Sequence, residues 1–207
     1  MKRIYFVRHG ATENNIAQKY QSPTDSLGEK GKEQAQKLAD RFKKISVDII
    51  VASTMTRAAE TADIIAVTTG HSVIPNDDFR EIRRPKQVQG RSKEDPDVKA
   101  IVDAIRDDFN APTARYSDEE RFPDLYLRAT RALEFLVSRP ENNILAVTHG
   151  TILEVFISIM MRPELRTSEL FDILERFIGS TNTGITLCEY DEKGWRMRIW
   201  NDHAHLG

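Results

Sequence analysis

Cysteine is all but missing: Cys188 is the only one in 207 residues. A single thiol closes no internal disulfide, so nothing here calls for an oxidising compartment. Its place beside Leu187 in an apolar stretch reads as a small core side chain. Long apolar runs are missing too. Ile4 to Val7 is too short for the hydrophobic segment of a signal peptide. The run from Ile152 to Met161 is interrupted by Glu154 and is too short to cross a bilayer. A surplus of one charge is also missing. Thirty basic and 32 acidic residues leave a formal net charge of −2, which gives no support to nucleic-acid binding. These absences lead us to expect a cytoplasmic protein that binds neither nucleic acid nor membrane. Any anion site must come from local placement of arginine and lysine.

What is present is a globular composition, 40% hydrophobic and 30% charged, over a length that suits one domain spanning residues 1–207. Strand-like and helix-like segments alternate. Lys2 to Val7, Asp48 to Ala52 and Asn143 to Thr148 read as buried strands, and His71 to Ile74 as a short edge strand. Ala35, Leu38, Ala39, Phe42 and Ile45 recur at helical spacing in a helix from Gly31 to Ile45. Further helices are expected over Thr56–Thr69, Phe122–Ser138, Thr151–Met161 and Ser168–Arg176. Gly184–Tyr190 and Trp195–Trp200 read as a hairpin. The expected fold class is α/β, with a mostly parallel central sheet and helices on both faces. Residues 82–122 differ. They are charged, contain Pro85, Pro96 and Pro112, and hold one helical patch near Val98 to Phe109. This segment reads as an insertion or lid, either a solvated surface or a substrate-facing wall.

In such sheets ligands bind beyond the carboxyl ends of the strands. Three segments arrive there: Arg8-His9-Gly10, Ser53 to Arg57, and Thr148-His149-Gly150. Two of the three end in His-Gly. Bringing Arg8, His9, Arg57 and His149 together without a bound anion would be self-repelling and costly. An arginine fork matches a phosphate, and loops entering helices add backbone donors. Nearby positive charge keeps an imidazole neutral, and a neutral imidazole can attack phosphorus. Either histidine could take that role. Glu81, after Phe79, could reach the same rim and serve as the acid for a leaving oxygen. Singly, each residue has an ordinary structural reading; together, two His-Gly strand ends and two arginines point to phosphoryl chemistry.

With these residues in hand, the sequence resembles the histidine phosphatase superfamily, also called phosphoglycerate mutase-like. The family's Arg-His-Gly is Arg8-His9-Gly10, and its downstream asparagine matches Asn15. "LGEKGKEQA" (Leu27 to Ala35) and "STMTRAAETA" (Ser53 to Ala62) match two further blocks. Glu81 stands at the acid position and His149 at the second histidine, and "WNDHAHL" resembles the family's C-terminal strand and tail. The resemblance implies His9 as nucleophile, forming a phosphohistidine. It implies Arg8, Asn15, Arg57, His149 and Gly150 as phosphate-binding groups and Glu81 as acid and base. No metal and no cofactor is implied.

The chain departs from the mutase pattern at Ala11-Thr12, Asn14, Gly28 and Gln89-Gly90. These changes leave the reacting residues intact and bear on substrate and on mutase activity. The leading expectation is a metal-independent phosphomonoesterase acting on a small phosphorylated metabolite. The alternative is a phosphoglycerate mutase or related phosphotransferase, with Arg83, Arg84, Lys86 and Arg91 gripping a second anionic group. A third reading, a metal hydrolase built on Asp202, His203 and His205, is weaker than a structural tail. Oligomeric state is open.

Overall fold

We describe the protein from a computed structural model, in residues 1–111 and 116–207. The chain runs β1 (Lys2–Arg8), a short α1 (Glu13–Ile16), α2 (Glu29–Phe42), β2 (Ile49–Ala52), α3 (Thr56–Thr69) and β3 (Val73–Pro75). It continues through α4 (Pro96–Asp107), α5 (Phe122–Ser138), β4 (Asn143–Thr148), α6 (Gly150–Met161), α7 (Glu169–Phe177), β5 (Ile185–Asp191) and β6 (Gly194–Asp202). The six-stranded sheet has the order β3-β2-β4-β1-β5-β6. Its first four strands are parallel; β5 and β6 add an antiparallel hairpin. The expected fold class holds.

Side-chain alternation along the central strands feeds two cores. Ile4 and Phe6 of β1, with Ile144 and Ala146 of β4, face α5 and α6, including Leu125, Leu136, Ile152 and Phe156. Val7, Leu145 and Val147 face the other way, onto Leu38, Phe42, Ala58, Ala62 and Ile65 of α2 and α3. Each fully buried aliphatic or aromatic side chain here contributes roughly 1.5–3 kcal/mol.

Element ends shift by a few residues, for local reasons. α2 stops at Phe42 rather than Ile45 because Lys44 and Ile45 donate to Arg41 O and Phe42 O, a tighter turn that closes the helix. α3 ends at Gly70 (φ 76°), whose left-handed backbone donates to Ala66 O. α4 runs Pro96–Asp107, two residues ahead of the patch expected near Val98 to Phe109: Asp95 caps it, accepting the Asp97 N–H at 3.0 Å, and Pro96 fills its first position.

The 82–122 segment is knit into the domain. Val88, Val98, Ile105 and Phe109 are buried, Glu120 N–H bonds Arg83 O at 2.9 Å, and Phe122 N–H bonds Phe109 O at 2.9 Å. Residues 112–115 of the segment, Pro112 among them, lie outside the described residues.

One close approach fixes the loop after β1. A Cβ on Gly31 would sit 2.0 Å from Ala11 O, and one on Gly10 would sit 2.5 Å from Gly31 O. The loop carrying Gly10 and Ala11 thus lies directly on the backbone of α2. Gly31→Ala should gain the usual helix preference but meet backbone that cannot give. The expected net loss is about 1–3 kcal/mol in urea denaturation, with a parallel loss of activity from a displaced His9. A variant as stable as wild type would show that the loop is not held this way.

Candidate active site

The register of β1 against β4 builds the centre. Arg8 lies opposite Thr148, so the next residues, His9 and His149, leave the sheet side by side. His9 N–H bonds Thr148 O at 2.9 Å, and the two imidazole centroids are 5.0 Å apart. β2 flanks β4 on the other side, with Ala52 opposite Val147. Ser53 and the start of α3 therefore reach the same point, and α3 carries Arg57 in its first turn.

His9 is 2% exposed, Arg57 2% and His149 0%. Arg57 Nε donates to His9 Nε2 at 3.0 Å. A guanidinium only donates, so Nε2 holds the lone pair and the ring proton is on Nδ1, facing Gly10 O at 2.7 Å. Burial, then Arg57 and Arg8, hold His9 well below the usual 6.5. Burial, Arg57 and His9 do the same to His149. His149 Nε2 pairs with the Ser53 hydroxyl at 2.8 Å, while its Nδ1 is buried without a partner.

The arginines are costly to place here. Burial lowers Arg57 to about 10 and also lowers Arg8. Arg57 is braced by Ser22 O at 2.8 Å and Arg8 by Ser180 O. Arg8 Nε is buried and unpartnered. Orphaned polar atoms on Arg8 and His149, beside a second guanidinium, fit a tetrahedral anion that supplies the missing acceptors. The sequence reading put one carboxylate, Glu81, at this rim. It acts on Arg8 together with a second that the sequence reading did not include, Glu154.

Glu81 reaches the centre on a segment pinned to the sheet. Thr148 Oγ1 donates to Phe79 O at 2.8 Å, and Arg128 Nη1 donates to Asp78 O and Arg80 O at 2.9 and 2.7 Å. The carboxylate sits at the N-terminus of α6. It accepts the N–H groups of Thr151 and Ile152, both at 3.1 Å, and of Ile82 at 2.9 Å.

Arg8, His9, Arg57 and Glu81 border a cavity of about 420 Å³ at the carboxyl ends of the strands, lined also by Asn15 and Gly150. Of the expected phosphate-binding residues, Arg8, Asn15, Arg57 and Gly150 thus gather there. His149 lies beneath, in contact with His9. Gly150 abuts Arg8; a Cβ on it would be 3.8 Å from the guanidinium carbon. Thr12 caps α1 through the Asn15 N–H at 3.0 Å.

The 82–122 segment supplies a cavity wall through Ile82, Arg83, Arg84, Gln89, Lys93 and Glu120. Of the four basic residues expected to grip a second anion, only Arg83 and Arg84 line it. Arg91 is drawn aside by Asp95 at 2.7 Å, Lys86 is exposed, and Lys93 takes their place over the Tyr20 ring, 5.7 Å from its centre.

Sequence reasoning missed the Ser180–Thr183 loop. Asn182 Nδ2 donates to His9 O at 2.8 Å and to Asn15 Oδ1 at 3.2 Å, leaving the Asn15 NH₂ to serve as donor. The tail residues have structural partners: Asp202 pairs with Arg41, and His205 Nε2 contacts the Thr183 hydroxyl at 3.0 Å. Burial and Arg41 push His205 down to about 4.

Known proteins resemble this chain along its length. Residues 4–203 match the family model of the histidine phosphatase superfamily (branch 1). "Probable phosphoglycerate mutase GpmB" of Erwinia tasmaniensis is 29% identical, covering 100% of this chain and 95% of that protein. "Uncharacterized phosphatase PhoE" of Bacillus subtilis is 29% identical, covering 100% and 97%. The solved structure of Bacillus stearothermophilus YhfR superimposes with a TM-score of 0.84 at 25% identity, covering 100% of both chains. The match over residues 4–203, with both His-Gly strand ends in it, places the chain in the histidine phosphatase superfamily.

Proposed function

We propose that the chain is a metal-independent phosphomonoesterase that works through a phosphohistidine on His9. The observation that carries this reading is the His9 ring. Its proton is committed to Gly10 O and its Nε2 lone pair faces Arg57, with both side chains buried. A phosphoryl group entering the cavity takes Arg57 away from Nε2 and meets Arg8 and His149 at their unpartnered atoms. His9 Nε2 then attacks phosphorus, the ester bond breaks, and Glu81 gives its proton to the leaving oxygen. The step calls for Glu81 as the carboxylic acid, standing beside the bound phosphoester. In the second half, Glu81 takes a proton from water as that water displaces phosphate from His9. Two guanidiniums and a buried imidazole provide the charge stabilisation that phosphoryl transfer needs. The substrate is a small phosphorylated metabolite, and the 82–122 segment selects it. We place the protein in the cytoplasm.

One observation favours the alternative, a phosphoglycerate mutase or related phosphotransferase. Arg84 and Lys93 flank Tyr20 inside the cavity and have no ion-pair partner among the described residues. They could hold a second anionic group. Isomerisation of 3-phosphoglycerate, rather than its loss of phosphate, would select this reading.

His9→Ala should remove phosphate release from aryl and alkyl phosphates, with chelator present, while the far-ultraviolet spectrum stays unchanged. Activity near wild type in that variant would exclude His9 as nucleophile. Glu81→Gln should slow alkyl phosphates about 10²-fold or more and aryl phosphates far less, because only poor leaving groups need the proton. Equal losses would remove Glu81 as the acid.

The neutral histidines also make a stability prediction. Their native values lie well below the unfolded 6.5, so their contribution is complete above that pH. It is lost as pH falls from about 6.5 toward the native values, because only the unfolded chain takes up the protons. Each histidine adds a slope of up to about 1.4 kcal/mol per pH unit. Urea denaturation between pH 7 and 5 should give a shallower loss for His9→Ala than for wild type. Identical slopes would show that His9 is protonated in the native state.

A further inference from the structure

Four carboxylates line the cavity: Glu81, Glu120, Glu154 and Glu175. Three have partners. Glu81 takes three backbone N–H groups. Glu120 takes a two-pronged bond from Arg128 at 2.8 and 2.9 Å and the Arg83 N–H at 2.7 Å. Glu175 pairs with Arg106. Glu154 has neither hydrogen bond nor ion pair among the described residues, although it is only 8% exposed.

Its position on α6 is informative. Glu154 is the only charged residue of that helix, between buried Leu153 and Val155. Its carboxyl oxygens are not among the enclosed unpartnered atoms and open onto the cavity, where a bound molecule can meet them. It lies one turn after Gly150, on the same helix face, and Gly150 abuts Arg8. Glu154 therefore stands about 5 Å beyond the phosphoryl-binding end of the helix, where the leaving group must lie. Burial, then Glu81 and Glu175, push it up to about 8, which favours its neutral form at pH 7.

Building on the phosphomonoesterase reading, we propose that Glu154 selects the leaving group. It accepts a hydrogen bond from a hydroxyl or an ammonium carried a few bonds beyond the ester oxygen. The two donors differ in proton balance. An ammonium draws out the Glu154 carboxylate, and its proton passes to solvent; a hydroxyl binds the protonated carboxyl through its carbonyl oxygen and releases none.

The test is calorimetric binding at pH 7 to the His9→Ala protein, which does not turn over. The probes are propyl phosphate, 2-hydroxyethyl phosphate, 2-aminoethyl phosphate and inorganic phosphate, each in two buffers of different ionisation enthalpy. With Glu154 intact, one donor-bearing ester should bind about tenfold or more tighter than propyl phosphate. In the added variants Glu154→Met and Glu154→Gln, each checked for folding, the ratio within one protein is the readout. It should fall to about one in Glu154→Met, and Glu154→Gln should retain preference only for a hydroxyl. Proton release beyond that seen with propyl phosphate, read from the buffer dependence of the heat, identifies an ammonium; a buffer dependence equal to that of propyl phosphate identifies a hydroxyl. Equal binding of all esters with Glu154 intact, or a preference surviving in Glu154→Met, overturns this proposal alone. No binding of any probe, inorganic phosphate included, overturns the phosphomonoester reading and this proposal together.

Discussion

The site rests on one register. Because Arg8 pairs with Thr148 across two parallel strands, the next residue on each strand is a histidine, and the two rings are held 5.0 Å apart under two guanidiniums. Such a group of four can be buried only if neither ring takes a proton. Desolvation and the neighbouring arginines hold both rings neutral, and that same condition makes an imidazole nucleophilic. Solvation, charge and reactivity are here one constraint. What remains unsatisfied, Arg8 Nε and His149 Nδ1, is what an anion would satisfy.

The last quarter of the chain keeps this group in place. Thr183 N–H bonds Arg8 O at 2.8 Å, and Asn182 bonds His9 O at 2.8 Å. Thr183 does so at φ 61°, a left-handed backbone that is unfavourable for a β-branched residue. The strain persists because its hydroxyl is bound to Asn182 O and faces His205. Asn201, at φ 51°, bonds Thr181 through both ends of its amide. Arg41 then ties Asp202 to α2. The C-terminal tail thus acts on the chemistry through one loop, without touching the reacting atoms.

Much of this was legible in the sequence because it was written locally. Buried strands such as Asn143–Thr148 announce themselves by composition, and a basic residue at the tip of a core strand announces a site. Arg8, His9 and His149 stand out by that contrast; Arg57 follows from the segment after a buried strand, and Glu81 from its place after Phe79 and from the family resemblance. Glu154 was not. In the sequence it only interrupts an apolar run, and its importance comes from the helix face it shares with Gly150. Asn182 and Ser180 sit in a polar loop that reads like any turn; their roles depend on tertiary contacts with β1. Lys86 and Arg91 were counted among the cavity's cations because charge can be read from sequence, whereas a nearby Asp95 that turns Arg91 aside cannot.

The proposed mechanism requires a phosphoryl group to rest covalently on His9 Nε2 during turnover. Wild-type protein mixed with ³²P-labelled phosphomonoester and quenched in alkaline detergent after a few milliseconds tests it directly. A phosphohistidine should leave label bound to the chain, released by acid and stable to alkali, mapped to His9 by mass spectrometry, and missing from His9→Ala. Phosphate released at full rate with no protein-bound label, or label on another residue, would contradict it.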